Sequence, residues 1–511
     1  MSKKTKWQLS ANLIANIVSF VSALFISFYT TPYITKFVGM EAYGLIGLAQ
    51  NFTNYITIIT AALNSMASRF IIIELHKNNT EEANRYFNSA LMANTICAII
   101  IMLLTAFLIP NLNLVINVSE HLLPDAKATF ALSFLSFAIT LATSVFSVVY
   151  YAKNRLDLGA WRTVESNILR AVLLVVTFMF IGVKIQYTVV VTLISSCYVI
   201  LFSFYYTRKL LPEIKISFKY SQWKKTWTMV KAGIWNSISK LSNILLNGLD
   251  LLITNLFIGG PVLGCVSVTK TFVNLIISLI ATISDVFLPK FLKAFARDKK
   301  ELNVEFLNST KLLGFCSCVI ISVFLVYCES FYTLWLPGED AVLMRNLTYI
   351  SLASIFVSGP VYSMFSVYTV INKVRPQAVA SLIMSVLSTA TVFILLKFSN
   401  LGVYAIVGVS SIYGAVKNLT YNMFCLRKYA GIDIKKSYYI ILKNIVIVLI
   451  CIFINTYIKS YFTISSLIVL ALYILVGCLI SSIIYVLLGI SNNDKKKICH
   501  FAVSKLKRGG N

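Results

Sequence analysis

Long apolar stretches alternate with short polar ones along the whole chain. Starting near residue 10, runs rich in Ile, Leu, Val, Phe and Ala recur, each long enough to cross a bilayer, which takes a helix of about 20 residues. Fourteen such runs predict helices over 10–34, 42–66, 89–109, 129–151, 164–183, 187–206, 229–257, 264–288, 312–334, 347–371, 378–398, 402–425, 438–458 and 464–488. The polar connections are short, so an attached ATPase or a large external catalytic domain has no room. No GxxxxGK[ST] phosphate loop occurs. The pattern predicts an all-α polytopic membrane protein.

Composition agrees, with 58% hydrophobic and only 13% charged residues, against about a quarter charged in globular domains. A net charge of +26 would point to nucleic acid in a soluble protein. Here its distribution changes its meaning. With the N-terminus in the cytoplasm, thirty-three of the 45 Lys and Arg fall in inside segments, six in outside loops and six in or at the ends of spans. This asymmetry is the positive-inside rule, and it predicts a multi-pass protein with both termini cytoplasmic; the high Ile, Lys and Asn content points to a bacterial source, hence to a bacterial cytoplasmic membrane. The basic tail from Lys495 to Arg508 either lies on the anionic inner leaflet or is solvated. The first apolar run is too long for a signal peptide. The ten cysteines lack CxxC spacing and read as packing residues, the three histidines lie far apart, and no metal or cofactor is expected.

An internal repeat organises the spans. At an offset of 220 residues, Phe37, Gly39, Gly44, Phe52, Asn54 and Ile56 match Phe257, Gly259, Gly264, Phe272, Asn274 and Ile276, and upstream Asn16 matches Asn236. The first span then corresponds to the seventh in the same orientation. The expected architecture is two parallel six-helix lobes around a central cavity, plus two C-terminal helices. The expected boundaries are 1–207 for the first lobe, 208–228 for a cytoplasmic linker and 229–425 for the second lobe. Residues 426–490 form the appended pair and 491–511 the tail.

Span seven carries the most polar face. At 100° per residue Asn236, Lys240, Asn243, Asn247, Asp250 and Thr254 lie within about 80° of one another. Charges at mid-bilayer cost several kcal/mol unless paired or hydrated, so this face must avoid lipid. Milder stripes hold Asn12 and Asn16 on span one, Gln50, Asn54 and Asn64 on span two, and Lys270 and Asn274 on span eight. Arg170 and Lys417 are further cations inside spans. For any single Asn, Ser or Thr the commoner role is helix–helix glue. Together the stripes favour a hydrated cationic cavity suited to an anionic substrate.

Fourteen spans, the segment TKFVGMEAYGLIGLAQNFTNYI after the first span and NGLDLLI followed by a glycine turn in the seventh resemble the polysaccharide transporter branch of the multidrug/oligosaccharidyl-lipid/polysaccharide (MOP) exporter superfamily, which includes Wzx-type flippases. The resemblance implies a non-enzymatic transporter that turns an undecaprenyl-diphosphate-linked oligosaccharide from the inner to the outer leaflet for capsule or O-antigen assembly, by alternating access. It implies cavity contacts from Lys240, Asn243, Asn247, Lys270, Arg170 and Lys417, with Asn16, Gln50, Asn54 and Asn274 as further polar lining. Asp250 is the candidate for coupling to a proton or sodium ion, and a polysaccharide polymerase is an expected partner. A teichoic-acid-unit or lipid II flippase and a cation-coupled multidrug exporter remain the alternatives within the superfamily. A non-transporting scaffold or a membrane glycosyltransferase is the alternative outside it.

Overall fold

The structure is a computed structural model that describes residues 3–461 and 463–489, with the side chains of residues 3–14, 16, 17, 20 and 23–25 outside the description. All regular structure among the described residues is helical. The helices used below are α1 (Lys3–Val38), α2 (Met40–His76), α3 (Thr80–Leu108), α4 (Leu123–Thr143), α5 (Leu156–Phe180), α6 (Ile185–Leu210), α7 (Trp223–Asn243), α8 (Asp250–Phe257), α9 (Gly260–Asp285), α10 (Lys299–Trp335), α11 (Ala341–Ser358), α12 (Val374–Phe398), α13 (Val403–Lys417), α14 (Ile434–Ser460) and α15 (Leu467–Leu488).

Among the described residues eleven helical segments are, each by itself, long and apolar enough to cross a membrane, and they coincide with eleven of the fourteen expected spans. The first expected span falls in α1, most of whose side chains near the N-terminus lie outside the description. The other two are interrupted. Span seven is split into α7 and α8 by a π-type turn over Ile244–Gly248 and a bend at Leu249. Span twelve leaves α13 through π-type turns over Asn418–Asn422 and Leu426–Ala430. It stops at Gly431, whose left-handed φ of 71° is the usual glycine end of a helix. Each π turn contains or adjoins Asn or Gly, residues that hold a regular helix poorly.

The repeat is visible in the backbone. Gly39 (φ 96°) and Gly259 (φ 126°) make the same break between successive helices. Gly39 N–H donates to Ile34 O at 3.2 Å and Gly259 N–H to Thr254 O at 3.1 Å, positions that differ by the same 220 residues.

Packing divides the chain into two compact units, residues 1–267 and 268–511, so the division falls inside α9. In the first unit α7, which the sequence reading assigned to the start of the second lobe, runs along α2. Small residues permit the approach. A Cβ added to Gly233 would stand 2.1 Å from Ala62 O, and the Ser237 hydroxyl donates to Ile58 O (2.6 Å) while accepting from Ala62 N–H (3.0 Å). In the second unit α10 packs against α14 and α15, above a core that gathers Phe287, Phe291, Phe306, Tyr368 and Met423.

The connection after α6 is strapped along α3 by side-chain amides. Asn84 donates to Glu213 O (3.0 Å) and accepts from Lys215 N–H (2.6 Å). One turn on, Asn88 donates to Lys215 O (2.8 Å) and accepts from Ser217 N–H (2.9 Å). Each amide pairs with the linker as another strand would, which satisfies main-chain groups that burial would otherwise leave orphaned.

Candidate functional site

The break in span seven is held by the second span. A π turn closes i→i+5 rather than i→i+4 hydrogen bonds, so it leaves main-chain groups without their regular partners. The Gly248 carbonyl is one that α2 takes up: Tyr55 Oη donates to it at 2.7 Å and Asn51 Nδ2 at 3.1 Å. Directly after the bend comes Asp250, only 5% exposed, with the Tyr55 ring as an electrostatic neighbour. Non-helical backbone at membrane depth is tolerated only inside protein or beside water, and the two donors on α2 meet that requirement.

The extra residue in the π turn shifts the phase of everything after it, so the stripe expected from a uniform 100° per residue is not one continuous face. Asn243 and Asn247 are exposed, while Asp250 and Thr254 are buried. The fully buried Thr254 hydroxyl has no hydrogen-bond partner among the described residues. Upstream, Asn236 donates to Ser65 Oγ at 2.8 Å and Lys240 is half-buried without an ion pair among the described residues.

The remaining candidates of the first unit are spread along α2 and α5. Gln50 is exposed and donates to Thr53 Oγ1 (3.3 Å), and Asn54 is half-buried one turn on. Asn64 has the glue role weighed against function: Asn94, fully buried, donates to its Oδ1 at 2.9 Å and to Ser144 Oγ at 3.0 Å. Arg170 lies near the Tyr43 hydroxyl, and its buried Nε has no hydrogen-bond partner among the described residues. The side chains of Asn12 and Asn16 lie outside the described residues.

In the second unit Lys270 is half-buried and Asn274 exposed on α9. Lys417, 6% exposed at the end of α13, has no ion pair among the described residues. It adjoins a seam of small polar groups between α11 and α13, where Ser411 Oγ reaches Ser351 O (3.4 Å) and Asn418 Nδ2 reaches Ser358 Oγ (3.3 Å).

Sequence reasoning missed three working parts: Asn51 and Tyr55 as anchors of the break, and a latch at the other end of α8. In the latch, Asn255 exchanges hydrogen bonds with Asn117, and Glu41 accepts from Ser119 N–H (2.9 Å) and Oγ (2.7 Å). The Asn51–Tyr55 spacing of one helical turn was readable on α2, but nothing in it named Gly248 as the partner.

Known proteins place this architecture. A family model described as "Polysaccharide biosynthesis protein" matches residues 9–295, more than half of the chain. The "Uncharacterized membrane protein EpsK" of Bacillus subtilis (strain 168) is 25% identical over 425 residues, 83% of this chain and 84% of that protein. Among solved structures, the lipid II flippase MurJ in an inward closed conformation superposes with a TM-score of 0.71 at 18% identity, covering 92% of this chain and 98% of that one. An inward-facing multidrug resistance MATE family transporter of the MOP superfamily gives 0.62 at 14% identity, covering 85% and 96%. The chain belongs to the polysaccharide biosynthesis protein family and has the fold of the MOP-superfamily transporters.

Proposed function

We propose that this protein is a flippase that moves an undecaprenyl-diphosphate-linked oligosaccharide unit from the inner to the outer leaflet of the bacterial cytoplasmic membrane, supplying capsule or O-antigen assembly. The observation that carries the reading is the interrupted seventh span, where a buried carboxylate, Asp250, follows a main-chain carbonyl held by two side chains of α2. A helix broken at membrane depth is where transporters with repeated bundles place substrate and ion sites. Membership of a polysaccharide biosynthesis family and a fold shared with a lipid II flippase support a lipid-linked saccharide as the cargo.

In this reading the cations Lys240, Lys270, Arg170 and Lys417 meet the diphosphate. Asn243, Asn247, Asn274, Gln50 and Asn54 meet sugar hydroxyls. The lipid tail stays in the bilayer while two lobes open alternately to either side. The pair Tyr55–Gly248 and Asn51–Gly248 gives the break a set of contacts that one state makes and another loses, which is the differential interaction any conformational cycle needs. Asp250 couples the cycle to a proton or sodium ion, and the product is handed to a polysaccharide polymerase.

The test is to delete the gene in its host and measure lipid-linked oligosaccharide by leaflet, in cells carrying wild type or Lys240→Ala with Lys270→Ala. Intermediates trapped in the inner leaflet, rescued by wild type and not by the expressed double variant, are the expected result. Normal surface glycan together with altered drug resistance would replace this reading by the multidrug exporter. Peptidoglycan arrest with normal surface glycan would replace it by the lipid II flippase.

A further inference from the structure

A short helix, Leu288–Arg297, stands between α9 and α10 and takes no part in the broken seventh span. It begins after a break in the chain's helical course. Phe287 N–H donates to Ser284 O at 3.0 Å, a tighter closure than the α-helical one, and Pro289 has no N–H to offer the Asp285 carbonyl four residues back. Before the break, α9 is 26 residues long, about 39 Å at the rise of an α-helix. That already exceeds the roughly 30 Å of hydrocarbon a span has to cross, which leaves the segment after the break at headgroup level.

The side chains of this helix fall into three sectors. Phe291 and Ala294 are buried in the core of the second unit, with Phe306, Tyr368 and Met423. Lys290, Lys293 and Arg297 lie within about 60° of one another. Leu288, Leu292 and Phe295 span another sector of about 60°, on the side opposite the cations. Leu292 is 51% and Phe295 39% exposed. In water that sector would be an uncovered apolar patch; at a membrane surface it enters the acyl boundary while the cations stay with the headgroups. Lys293 is exposed and has no ion pair among the described residues, and Lys290 Nζ rests 5.2 Å from the centre of the Phe287 ring. Arg297 pairs with Glu301 at 2.8 Å. From Val286 to Lys300 five cations stand against one carboxylate, Asp298, a surplus that complements an anionic surface. In the orientation that the bias of Lys and Arg predicts, this end of the second unit meets the inner leaflet.

We infer that the helix Leu288–Arg297 docks on the anionic inner leaflet, with Leu292 and Phe295 among the acyl chains and Lys290 and Lys293 on phospholipid phosphates. The docked helix anchors the ends of α9 and α10 at the membrane surface. Through Phe291 it also supports the core around Met423, which stands between the two π turns of span twelve. This anchor is independent of the cargo proposed above, and its test involves no transport.

The experiment places the purified full-length protein in nanodiscs of phosphatidylcholine alone, or of equal parts phosphatidylcholine and phosphatidylglycerol, and follows hydrogen exchange over residues 286–300. With phosphatidylglycerol the helix should exchange at least about fivefold more slowly, the effect of a single lysine near an anionic surface, and high salt should abolish the difference. Lys290→Gln with Lys293→Gln should exchange alike in the two lipids, with α11 unchanged from wild type. Leu292→Ser with Phe295→Ser should exchange faster than wild type in both. All four side chains are exposed, so neither double variant disturbs the core around Phe291. A benzoylphenylalanine substituted for Phe295 should photo-crosslink to lipid. Equal exchange of wild type in the two lipids overturns the anionic assignment, and serine variants indistinguishable from wild type overturn the insertion. Crosslinking to a second copy of the chain in place of lipid overturns the docking in favour of self-association.

Discussion

Asn117 and Asn255 recognise each other through main chain and side chain at once. Asn117 N–H donates to Asn255 Oδ1 at 2.9 Å, Asn255 Nδ2 donates to Asn117 O at 2.7 Å, and Asn117 Nδ2 reaches the carbonyls of Asn255 and Leu256 at 3.2 Å each. The loop between α3 and α4 thereby satisfies carbonyls at the C-terminal end of α8, which a helix end leaves without internal partners. Glu41, in the first turn of α2, holds the same loop through Ser119.

Asn255→Ala should therefore loosen a loop far from it in sequence. Asn255 is fully buried, and its loss strands the main chain of Asn117 at a cost of about 1–3 kcal/mol. Hydrogen exchange should rise over residues 110–122 and stay unchanged over α14 and α15. Unchanged protection of that loop would refute the latch.

The paired glycines of the repeat face each other. A Cβ on Gly264 would lie 2.2 Å from Met40 O, and one on Gly44 would lie 2.8 Å from Gly264 N. These neighbours are backbone and cannot swing aside, so Gly264→Ala should lower stability by about 1–3 kcal/mol, as overpacking does. Gly408→Ala, whose Cβ would meet only Ile350 at an ordinary 3.4 Å, should be neutral or slightly stabilising. Thermal unfolding of the two variants side by side measures the contrast.

Tyr55→Phe and Asn51→Ala each remove one donor from the same carbonyl of Gly248. Since either donor partly covers for the other, the double variant should lose more than the two single losses added together, by about 0.5 kcal/mol or more, the size of coupling seen between residues in one network. A double-mutant cycle in thermal unfolding, repeated with the leaflet assay, reads it; strict additivity would mean that the two donors act independently.

Along α3, Asn88→Ala should free the linker without unfolding the unit. Asn88 is 1% exposed and holds both Lys215 O and Ser217 N–H. Limited proteolysis between residues 211 and 222 should speed up several-fold, and Asn88→Ser, whose shorter side chain cannot make both contacts, should behave likewise. Resistance equal to wild type would place the restraint elsewhere.

Asp433 caps α14, its carboxylate accepting from Lys436 N–H at 3.2 Å, which holds its pKa below the ordinary 3.8. A carboxyl with a lowered folded value contributes fully above its unfolded value and loses that contribution as pH falls through the folded one. Relative to Asp433→Asn, which keeps a capping oxygen but cannot titrate, wild type should lose its advantage only as pH drops below about 4. A difference between the two that is constant with pH would show that the charge is irrelevant.

The sequence by itself determined the class, the spans and the repeat, because each is a property of local chain composition. Apolar length fixes what can cross a bilayer, and the bias of Lys and Arg between alternate loops sets the expected orientation. The glycines spaced by 220 residues anticipated two equivalent turns, and Gly39 and Gly259 both adopt left-handed φ. Asp250 and its polar neighbours were also legible, since a carboxylate in an apolar run is conspicuous.

Only the tertiary structure decided what those residues do to one another. A uniform helical period placed Asn243, Asn247, Asp250 and Thr254 on one face, and across the π turn the first two are exposed while the last two are buried. The Gly248 carbonyl in the turn is held by Asn51 and Tyr55, almost 200 residues away, donors that local sequence does not supply. The same holds for the strap on α3 and the Asn117–Asn255 latch. Short polar side chains read alike in sequence whether they glue helices or tie loops, and only the position of their partners separates these roles.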